Sequence, residues 1–288
     1  MAIVIPTINL KGGVAKTTTT VGLAEVLTSE FKKKVLLIDL DPQTHATVML
    51  IGNRRWKELN ENGYTLATLF EEALDPDDTK FVLEKTLQKN VSNISSVKDL
   101  DLLPSSLDLI NIQDVLAKMP TGPFYSDNPI EILKKAIRPI KYNYDYILID
   151  CPPNMGIITL NGLRIANGYI IPTIPDVLST YGIPYVVDRI HEFSKNMEIK
   201  IEALGIVVTK FKEDSRVHKT TLGKLKKGMI PPVFTPIFKE NNQVALAADY
   251  NRQYATFKQK WDEAGQYNAF YNLAKEIIDR YEGYNTNS

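Results

Sequence analysis

The sequence predicts an α/β fold in which helices cover both faces of a doubly wound, mostly parallel sheet. Apolar runs of strand length alternate with amphipathic, helix-like stretches along the 288 residues, and this alternation is typical of β-α-β units with right-handed crossovers. Three of the apolar runs end in polar residues suited to binding phosphate or metal. Because the carboxyl ends of parallel strands lie at one edge of a sheet, these residues predict a single ligand site there.

Each strand and helix is predicted from the pattern of its apolar residues and from its length. Strands are predicted at residues 2–9, 35–38, 100–103, 146–149, 169–174 and 203–208. Helices are predicted at residues 16–31, 65–74, 80–89, 107–119, 129–139, 179–196 and 265–282. Residues 120–123 and Thr235–Phe238 are predicted to be loops, and the polar stretch from 52 to 100 is expected to hold an insertion. Because the alternation is unbroken, residues 1–288 are expected to form one domain.

The first predicted strand is followed by a glycine-rich turn that suits the phosphates of a nucleotide. The residues of this turn are Lys11, Gly12, Gly13, Val14, Ala15, Lys16, Thr17 and Thr18. Successive backbone N–H groups form a concave anion site, and the positive end of the following helix points to the same place. Lys16 is expected to reach the β- and γ-phosphates, and Thr17 to offer its hydroxyl to Mg²⁺. The simpler alternative is a glycine-rich turn before an ordinary helix.

This turn departs from the pattern G-x-x-x-x-G-K-[ST], because Leu10 and Ala15 stand where glycines are usual. Alanine fits at position 15 only if the backbone avoids a positive φ or tolerates modest strain. Lys11 is also unexpected, since one lysine suffices to hold a triphosphate. We therefore expect nucleotide binding to be retained, with a separate role for Lys11.

Two further apolar runs end in carboxylates. Val35–Ile38 is followed by Asp39 and Asp41, and the run at 146–149 is followed by Asp150. Carboxylates at strand ends suit a metal ion and a positioned water, which are the requirements of phosphoryl transfer. The alternative for the first two carboxylates is a helix cap or a turn.

Together these motifs resemble the deviant Walker motifs of the ParA/MinD-type ATPase family, in its ParA-like branch. The residues that carry the resemblance are Lys11–Gly13, Lys16–Thr17, Asp39–Gln43, Leu102–Ser105, Asp150–Pro153 and Thr159–Asn161. The resemblance implies a P-loop fold and an ATP-dependent dimer, with ATP and Mg²⁺ as cofactors, that positions DNA, plasmids or protein cargo. The segment from Ile171 to Pro184 is similar to the carboxysome-positioning McdA subgroup.

The resemblance also implies roles for three catalytic residues. Lys16 binds the phosphates, and Asp41 orients or activates the attacking water. Lys11 crosses a two-fold interface to the phosphates of the partner copy, where a cation stabilises the charge of the transition state. ATP then becomes part of the dimer interface. A solvent-exposed loop lysine is the alternative for Lys11.

Metal and base contacts follow from the same resemblance. Asp150 and Thr17 hold Mg²⁺, and Asp39 supports either the metal or the loop. Thr18 is expected to touch the α-phosphate. The segments expected to face the adenine are residues 207–210 and Thr235–Phe238, with Thr209, Lys210 and Pro236 as the predicted contacts.

The net charge of the chain does not indicate any charged partner, because 34 basic and 34 acidic residues balance. The stretch from Lys210 to Lys227 is locally basic, with seven Lys or Arg residues against two acids. Clustered cations bind phosphate backbones without reading bases, and in ParA-like proteins this part of the chain binds DNA non-specifically. The predicted DNA contacts are Arg216, Lys219 and Lys239. A solvated helix face is the alternative.

The expected partners are a second copy, non-specific DNA, and a ParB-like or McdB-like adaptor that is attached to cargo and stimulates slow ATP hydrolysis. The cargo is a plasmid, a chromosome or a carboxysome, and the expected location is the cytoplasm, on the nucleoid. Cys151 is the single cysteine, which suits a reducing compartment and argues against an iron–sulfur protein. No apolar stretch is long enough to cross a bilayer.

Two alternatives stay open. A MinD-like ATPase on a membrane needs a terminal amphipathic helix with a basic polar face, and the predicted helix at 265–282 has a mixed to acidic face instead. A tyrosine autokinase would use a tyrosine-rich tail as its substrate. The tyrosines of that tail are Tyr267, Tyr271, Tyr281 and Tyr284.

Overall fold

Every strand pair in the described part of the chain is parallel, and the strands form one seven-stranded sheet in the order β3-β2-β4-β1-β5-β6-β7. The structure is a computed structural model that describes residues 2–74, 80–118, 128–228, 231–242 and 246–282. The strands are β1 (Ile3–Thr7), β2 (Val35–Asp39), β3 (Leu100–Leu103), β4 (Tyr146–Asp150), β5 (Gly168–Thr173), β6 (Glu202–Phe211) and β7 (Val233–Lys239). The predicted fold class is therefore confirmed.

Helices connect the strands. They are α1 (Lys16–Ser29), α2 (His45–Glu61), α3 (Leu66–Glu72), α4 (Leu83–Thr86), α5 (Leu109–Leu116), α6 (Ile132–Ile137), α7 (Ile157–Arg164), α8 (Val177–Tyr181), α9 (Ile183–Asn196), α10 (Arg216–Gly228), α11 (Phe257–Trp261) and α12 (Gln266–Glu282). Helix α2 is kinked at Gly52, where the backbone is not helical. Short 3₁₀ turns lie at Lys141–Asn143 and Glu263–Gly265.

The hydrophobic core has two parts, one on each face of the sheet. Alternate residues of β2 divide between them: Val35 and Leu37 belong to one cluster, and Leu36 and Ile38 to the other. Strands β2 and β4 are buried along their whole length, as expected for central parallel strands covered on both faces. This burial explains why both strands read as unbroken apolar runs that end in carboxylates.

Several predicted boundaries need correction. The helix predicted at 179–196 is two helices, α8 and α9, which meet at Gly182. The predicted loop Thr235–Phe238 is wrong, because these residues belong to the edge strand β7, where a proline is tolerated. Helix α2 was not predicted, since its sequence is polar on average and only its buried face contacts the core. The loop at 120–123 and Tyr284 lie outside the described residues.

The C-terminal helix α12 packs its apolar stripe into the core between α1 and β7. Phe270 lies so close to Gly22 of α1 that a Cβ at this glycine would be 2.2 Å from the ring. Among the described residues, none of the helices has the length and apolar character needed to cross a membrane. That the whole chain is one domain stays a prediction.

Candidate nucleotide site

The turn after β1 forms a tight loop that ends at the first residue of α1. Gly13 and Ala15 both have positive φ, 76° and 65°, so Ala15 adopts a left-handed conformation that costs an alanine about 1 kcal/mol. Two hydroxyl bonds hold the loop at Ala15 and the residue before it: Thr209 Oγ1 donates to the Val14 carbonyl at 3.0 Å, and Thr19 Oγ1 donates to the Ala15 carbonyl at 2.8 Å. At Ala15 the loop therefore adopts the left-handed backbone conformation that glycine would adopt without strain, and the alanine is strained.

A cleft of about 580 Å³ opens above this loop at the carboxyl edge of the sheet. The predicted site residues that line it are Gly12, Gly13, Ala15, Lys16, Thr17, Thr18, Asp41, Thr209 and Lys210. The backbone of Val14 belongs to the loop, but its side chain is buried and does not line the cleft. The positive end of α1 faces the cleft through Lys16, Thr17 and Thr18. This arrangement can bind an anion of the size of a polyphosphate.

Lys16 is almost fully buried at the base of the cleft, and its Nζ donates to the Lys11 carbonyl at 3.3 Å. Burial lowers the pKa of its ammonium group, while the charges of Asp150 and Asp41 oppose that shift. A cation held in a water-poor site interacts strongly with any anion that enters. Lys16 is thus placed to neutralise phosphate charge.

Two carboxylates lie side by side below the loop, because Asp39 and Asp150 are in register at the ends of β2 and β4. Both are completely buried. Burial, as the main cause, raises the pKa of Asp39 to about 7, and it raises the pKa of Asp150 well above its usual value, with the charge of Asp39 adding to the effect. A nearby cation would stabilise the charged forms of both carboxylates and so lower their pKa values again.

The two carboxylates differ in their partners. Asp39 Oδ1 accepts the Asp41 N–H at 3.1 Å, and its Oδ2 accepts the Thr47 N–H at 2.9 Å and the Thr47 hydroxyl at 2.7 Å. Asp150 Oδ1 accepts a long bond of 3.4 Å from the Thr20 hydroxyl. Its Oδ2 has no partner at hydrogen-bond distance among the described residues, although the Thr17 side chain lies close enough to lower the pKa of Asp150. Asp39 is thus bonded to the turn at Asp41 and to α2, whereas one oxygen of Asp150 lacks a hydrogen-bond partner among the described residues. That Asp39 supports either the metal or the loop stays a prediction.

Asp41 lines the cleft directly, unlike Asp39. Its Oδ1 accepts the Gln43 N–H at 2.9 Å, which closes a tight turn, and its backbone carbonyl accepts the Ser105 hydroxyl at 2.8 Å. A carboxylate fixed beside the phosphate loop in this way can orient a water molecule.

Lys11 lies outside the cleft. Its Nζ donates to Ser179 Oγ at 2.8 Å and contacts Asp176 Oδ1 at 3.5 Å, both at the start of α8, and its side chain is 38% exposed. Asp176 also caps α8 by accepting the Ser179 N–H, and its pKa is lowered by hydrogen bonds from Ser179 and by the charge of Lys11, although burial alone would raise it. In the single chain, Lys11 therefore points away from the Lys16 site.

The far end of the cleft differs from the prediction at Pro236. This residue is buried in β7, two residues before Phe238, and does not line the cleft, whereas Phe238 does. Two residues of strand correspond to about 6.6 Å, which places Pro236 too far from the edge. Phe238 belongs to the segment Thr235–Phe238 that was expected to face the adenine. The lining residues that were not predicted are Thr19, Gln43, His45, Pro153, Glu240, Asn241, Asn242, Ala248, Gln266 and Phe270. Gln266 and Phe270 come from α12, whose position no local pattern predicts.

The predicted DNA contacts fall into two groups. Arg216 and Lys219 lie on α10, which carries five Lys or Arg residues and no acidic one in 13 residues. At about 100° per residue, these five fall within an arc of about 160° centred on Arg216, opposite the buried Leu222 and Leu225. Lys239 instead lines the cleft and pairs with Glu213 at 2.9 Å. The structure thus brings Arg216 and Lys219 together on one exposed basic face, but not Lys239.

Comparison with known proteins shows the family of the chain. A family model described as an AAA domain matches residues 2–203. The sporulation initiation inhibitor protein Soj of Bacillus subtilis is 26% identical, with 96% of this chain and 98% of Soj covered. The chromosome partitioning protein ParA of Myxococcus xanthus is 27% identical, with 94% of this chain and 86% of ParA covered.

Solved structures share the fold. Cobyrinic acid a,c-diamide synthase of Mycobacterium smegmatis, with bound ADP and magnesium, superimposes with a TM-score of 0.74 at 23% identity, covering 98% of this chain and 96% of the synthase. Apo McdA of Cyanothece gives a TM-score of 0.72 at 20% identity, covering 96% of this chain and all of McdA. At these identities the likeness concerns the fold alone. From the family match and the phosphate-loop geometry, the chain belongs to the AAA domain family and is a ParA-like deviant Walker ATPase.

Proposed function

We propose that this protein is a partition or positioning ATPase that pairs around ATP, binds DNA without sequence preference, and responds to an adaptor protein on its cargo. The observation that carries the proposal is the placement of Lys16, Thr17 and Asp41 around one cleft, with Lys11 at the start of the same loop. Lys16 and the N-terminus of α1 bind the β- and γ-phosphates, and Asp41 orients the water that attacks the γ-phosphate.

ATP and Mg²⁺ are the cofactors. The residues present fit the metal, because the buried Asp150 Oδ2 lacks a hydrogen-bond partner among the described residues and the Thr17 hydroxyl lines the cleft next to it. Asp150 and Thr17 would hold the metal, with Asp150 acting through the water shell of the ion. When bound, Mg²⁺ neutralises charge on the phosphate oxygens. Neighbours solved with ADP or an ATP analogue and magnesium support the choice of cofactors.

Formation of a dimer would explain why the loop contains a second lysine, Lys11. Lys11 is bound to Asp176 and Ser179 in the single chain, where it cannot act on the nucleotide of its own cleft. In the proposed dimer it exchanges these partners for the phosphates of the other copy. Hydrolysis removes the γ-phosphate, and with it the charge that holds the two copies together.

The cargo is proposed to be a plasmid, a chromosome region or a carboxysome. The names of the relatives Soj and ParA support the first two, and the McdA neighbour supports the third by fold only. A ParB-like or McdB-like adaptor would stimulate a slow basal hydrolysis. The membrane-bound alternative is weakened by α12, because its apolar stripe is used in the core. Liposome flotation with ATP separates the two proposals.

The exposed face of α10 is the proposed DNA surface. The double variant Arg216→Ala/Lys219→Ala should lower DNA affinity in the presence of Mg·ATP by at least about tenfold, and reduce the slope of log K against log salt by about 2. Each cation that is removed from the protein lowers the number of counterions released on DNA binding by about one. Lys239→Ala should have a smaller effect, since Lys239 already pairs with Glu213.

The matched control is Lys57→Ala/Lys195→Ala, which removes two exposed lysines from α2 and α9. Binding is measured by fluorescence anisotropy with duplexes of unrelated sequence, at several salt concentrations, with and without ATP. An equal loss in the control variant, or binding that does not depend on ATP, would contradict the assignment of α10.

A further inference from the structure

A buried network of hydroxyl groups connects Asp41 to the end of β3. Thr47, in the first turns of α2, lies at its centre and is completely buried. The Thr47 hydroxyl donates to Asp39 Oδ2 at 2.7 Å and accepts the Ser105 N–H at 3.0 Å. Ser105, also completely buried, donates its own hydroxyl to the Asp41 carbonyl at 2.8 Å. The network thus joins β2, α2 and the segment after β3.

The same network holds the backbone of Asp41 from two directions. On one side the Asp41 N–H donates to Asp39 Oδ1 at 3.1 Å, and on the other its carbonyl accepts from Ser105. Ser105 is in turn fixed by Trp56, whose indole N–H donates to the Ser105 carbonyl at 3.1 Å. With both of its peptide groups fixed, Asp41 has little freedom to move relative to the phosphate loop.

We propose that Thr47 and Ser105 are positioning residues for Asp41, and that they set the rate of ATP hydrolysis without contacting nucleotide. The proposal rests on the proposed role of Asp41. Neither hydroxyl lines the cleft. Ser105 acts through its bond to the Asp41 carbonyl. Thr47 acts on Asp41 indirectly, through its bonds to Asp39 and Ser105. A displacement of about 1 Å in a group that orients a reactant can lower a rate about 100-fold.

The chain offers matched substitutions. Thr47→Val keeps the shape of the side chain but removes the hydroxyl, and Thr47→Ser keeps the hydroxyl. Ser105→Ala removes the bond to the Asp41 carbonyl. Ser106→Ala is the control, because Ser106 is adjacent and equally buried, but its hydroxyl bonds with Asp108 instead of the Asp41 turn.

The test measures phosphate release, the KM for ATP and the dimer mass of each full-length variant in Mg·ATP. Thr47→Val and Ser105→Ala should lower kcat about tenfold or more, with KM within about twofold of wild type and the mass still that of a dimer. Thr47→Ser and Ser106→Ala should hydrolyse ATP at close to the wild-type rate. In an Asp41→Asn background, Thr47→Val should cause no further loss, because both changes act on one group.

The proposal would be overturned by a wild-type kcat in both Thr47→Val and Ser105→Ala, by an equal loss in Ser106→Ala, or by an additive loss in the Asp41→Asn background. A change in KM that matches the change in kcat would also overturn it, since it would indicate general damage to the site. A wild-type rate in Asp41→Asn alone is a separate outcome, which would refute the proposed role of Asp41 and the positioning proposal with it.

Discussion

Replacing Asp41 with alanine should give a protein that binds ATP and pairs, yet releases no phosphate. The cleft keeps Lys16, Thr17 and the glycine turn, so nucleotide affinity should change little. Loss of the carboxylate that orients the water should slow hydrolysis at least about 100-fold, the usual minimum for a general base. The measurement is phosphate release together with the dissociation rate of the ATP-bound dimer.

Asp41→Asn is the matched variant for this experiment. Its amide oxygen can still accept the Gln43 N–H that Asp41 Oδ1 accepts at 2.9 Å, so the turn is preserved while the charge is lost. Both variants should accumulate the same long-lived dimer, which could then be used to capture the adaptor. If Asp41→Asn hydrolyses ATP as fast as wild type, Asp41 is only a turn residue.

The largest stability effect is expected at Glu25, far from the chemistry. Glu25 and Lys260 form an ion pair of 2.7 Å in which both side chains are completely buried. Glu25 also accepts the Ser92 hydroxyl at 2.8 Å and the Trp261 indole N–H at 3.0 Å. The carboxylate therefore ties α1, the loop after α4 and α11 together.

Glu25→Ala should lower the free energy of unfolding by about 3–5 kcal/mol, because it leaves the Lys260 charge buried without its carboxylate. Urea unfolding with an unchanged m-value would measure this loss. Glu192→Ala is the control, since the Arg189–Glu192 pair on α9 is exposed and should contribute less than about 1 kcal/mol. Equal small losses in the two variants would show that the buried pair does not hold these elements together.

Local patterns predicted the strands and the phosphate loop well. Buried parallel strands read as apolar runs, and the glycine turn has a fixed position between a strand and a helix, so Lys16, Thr17 and Asp41 were assigned to the cleft that the structure shows. The family was recognised from the same residues. Each of these features is formed by residues that are close together in the sequence, so the local sequence was sufficient to predict them.

What was missed depends on contacts between distant segments. Phe270 reaches the cleft only because α12 packs on α1 at Gly22, and the role of Ser105 depends on a bond to a residue 64 positions away. The strand character of β7 depends on its pairing with β6, and Pro236 does not interrupt it, just as the prolines of the central strands β1 and β5 do not interrupt those strands. The contacts of Lys11 with α8 also required the fold, since Asp176 is 165 residues further along the chain.

Light scattering of the wild-type chain with and without Mg·ATP tests most directly whether a shared nucleotide pairs two copies. The monomer mass is 32.5 kDa. With Mg·ATP the mass of the wild-type protein should double, and the doubling should be clearest in Asp41→Ala. Lys11→Ala should bind nucleotide and stay at the monomer mass. A mass that is the same with and without nucleotide, or equal pairing in Lys11→Ala, would contradict the account.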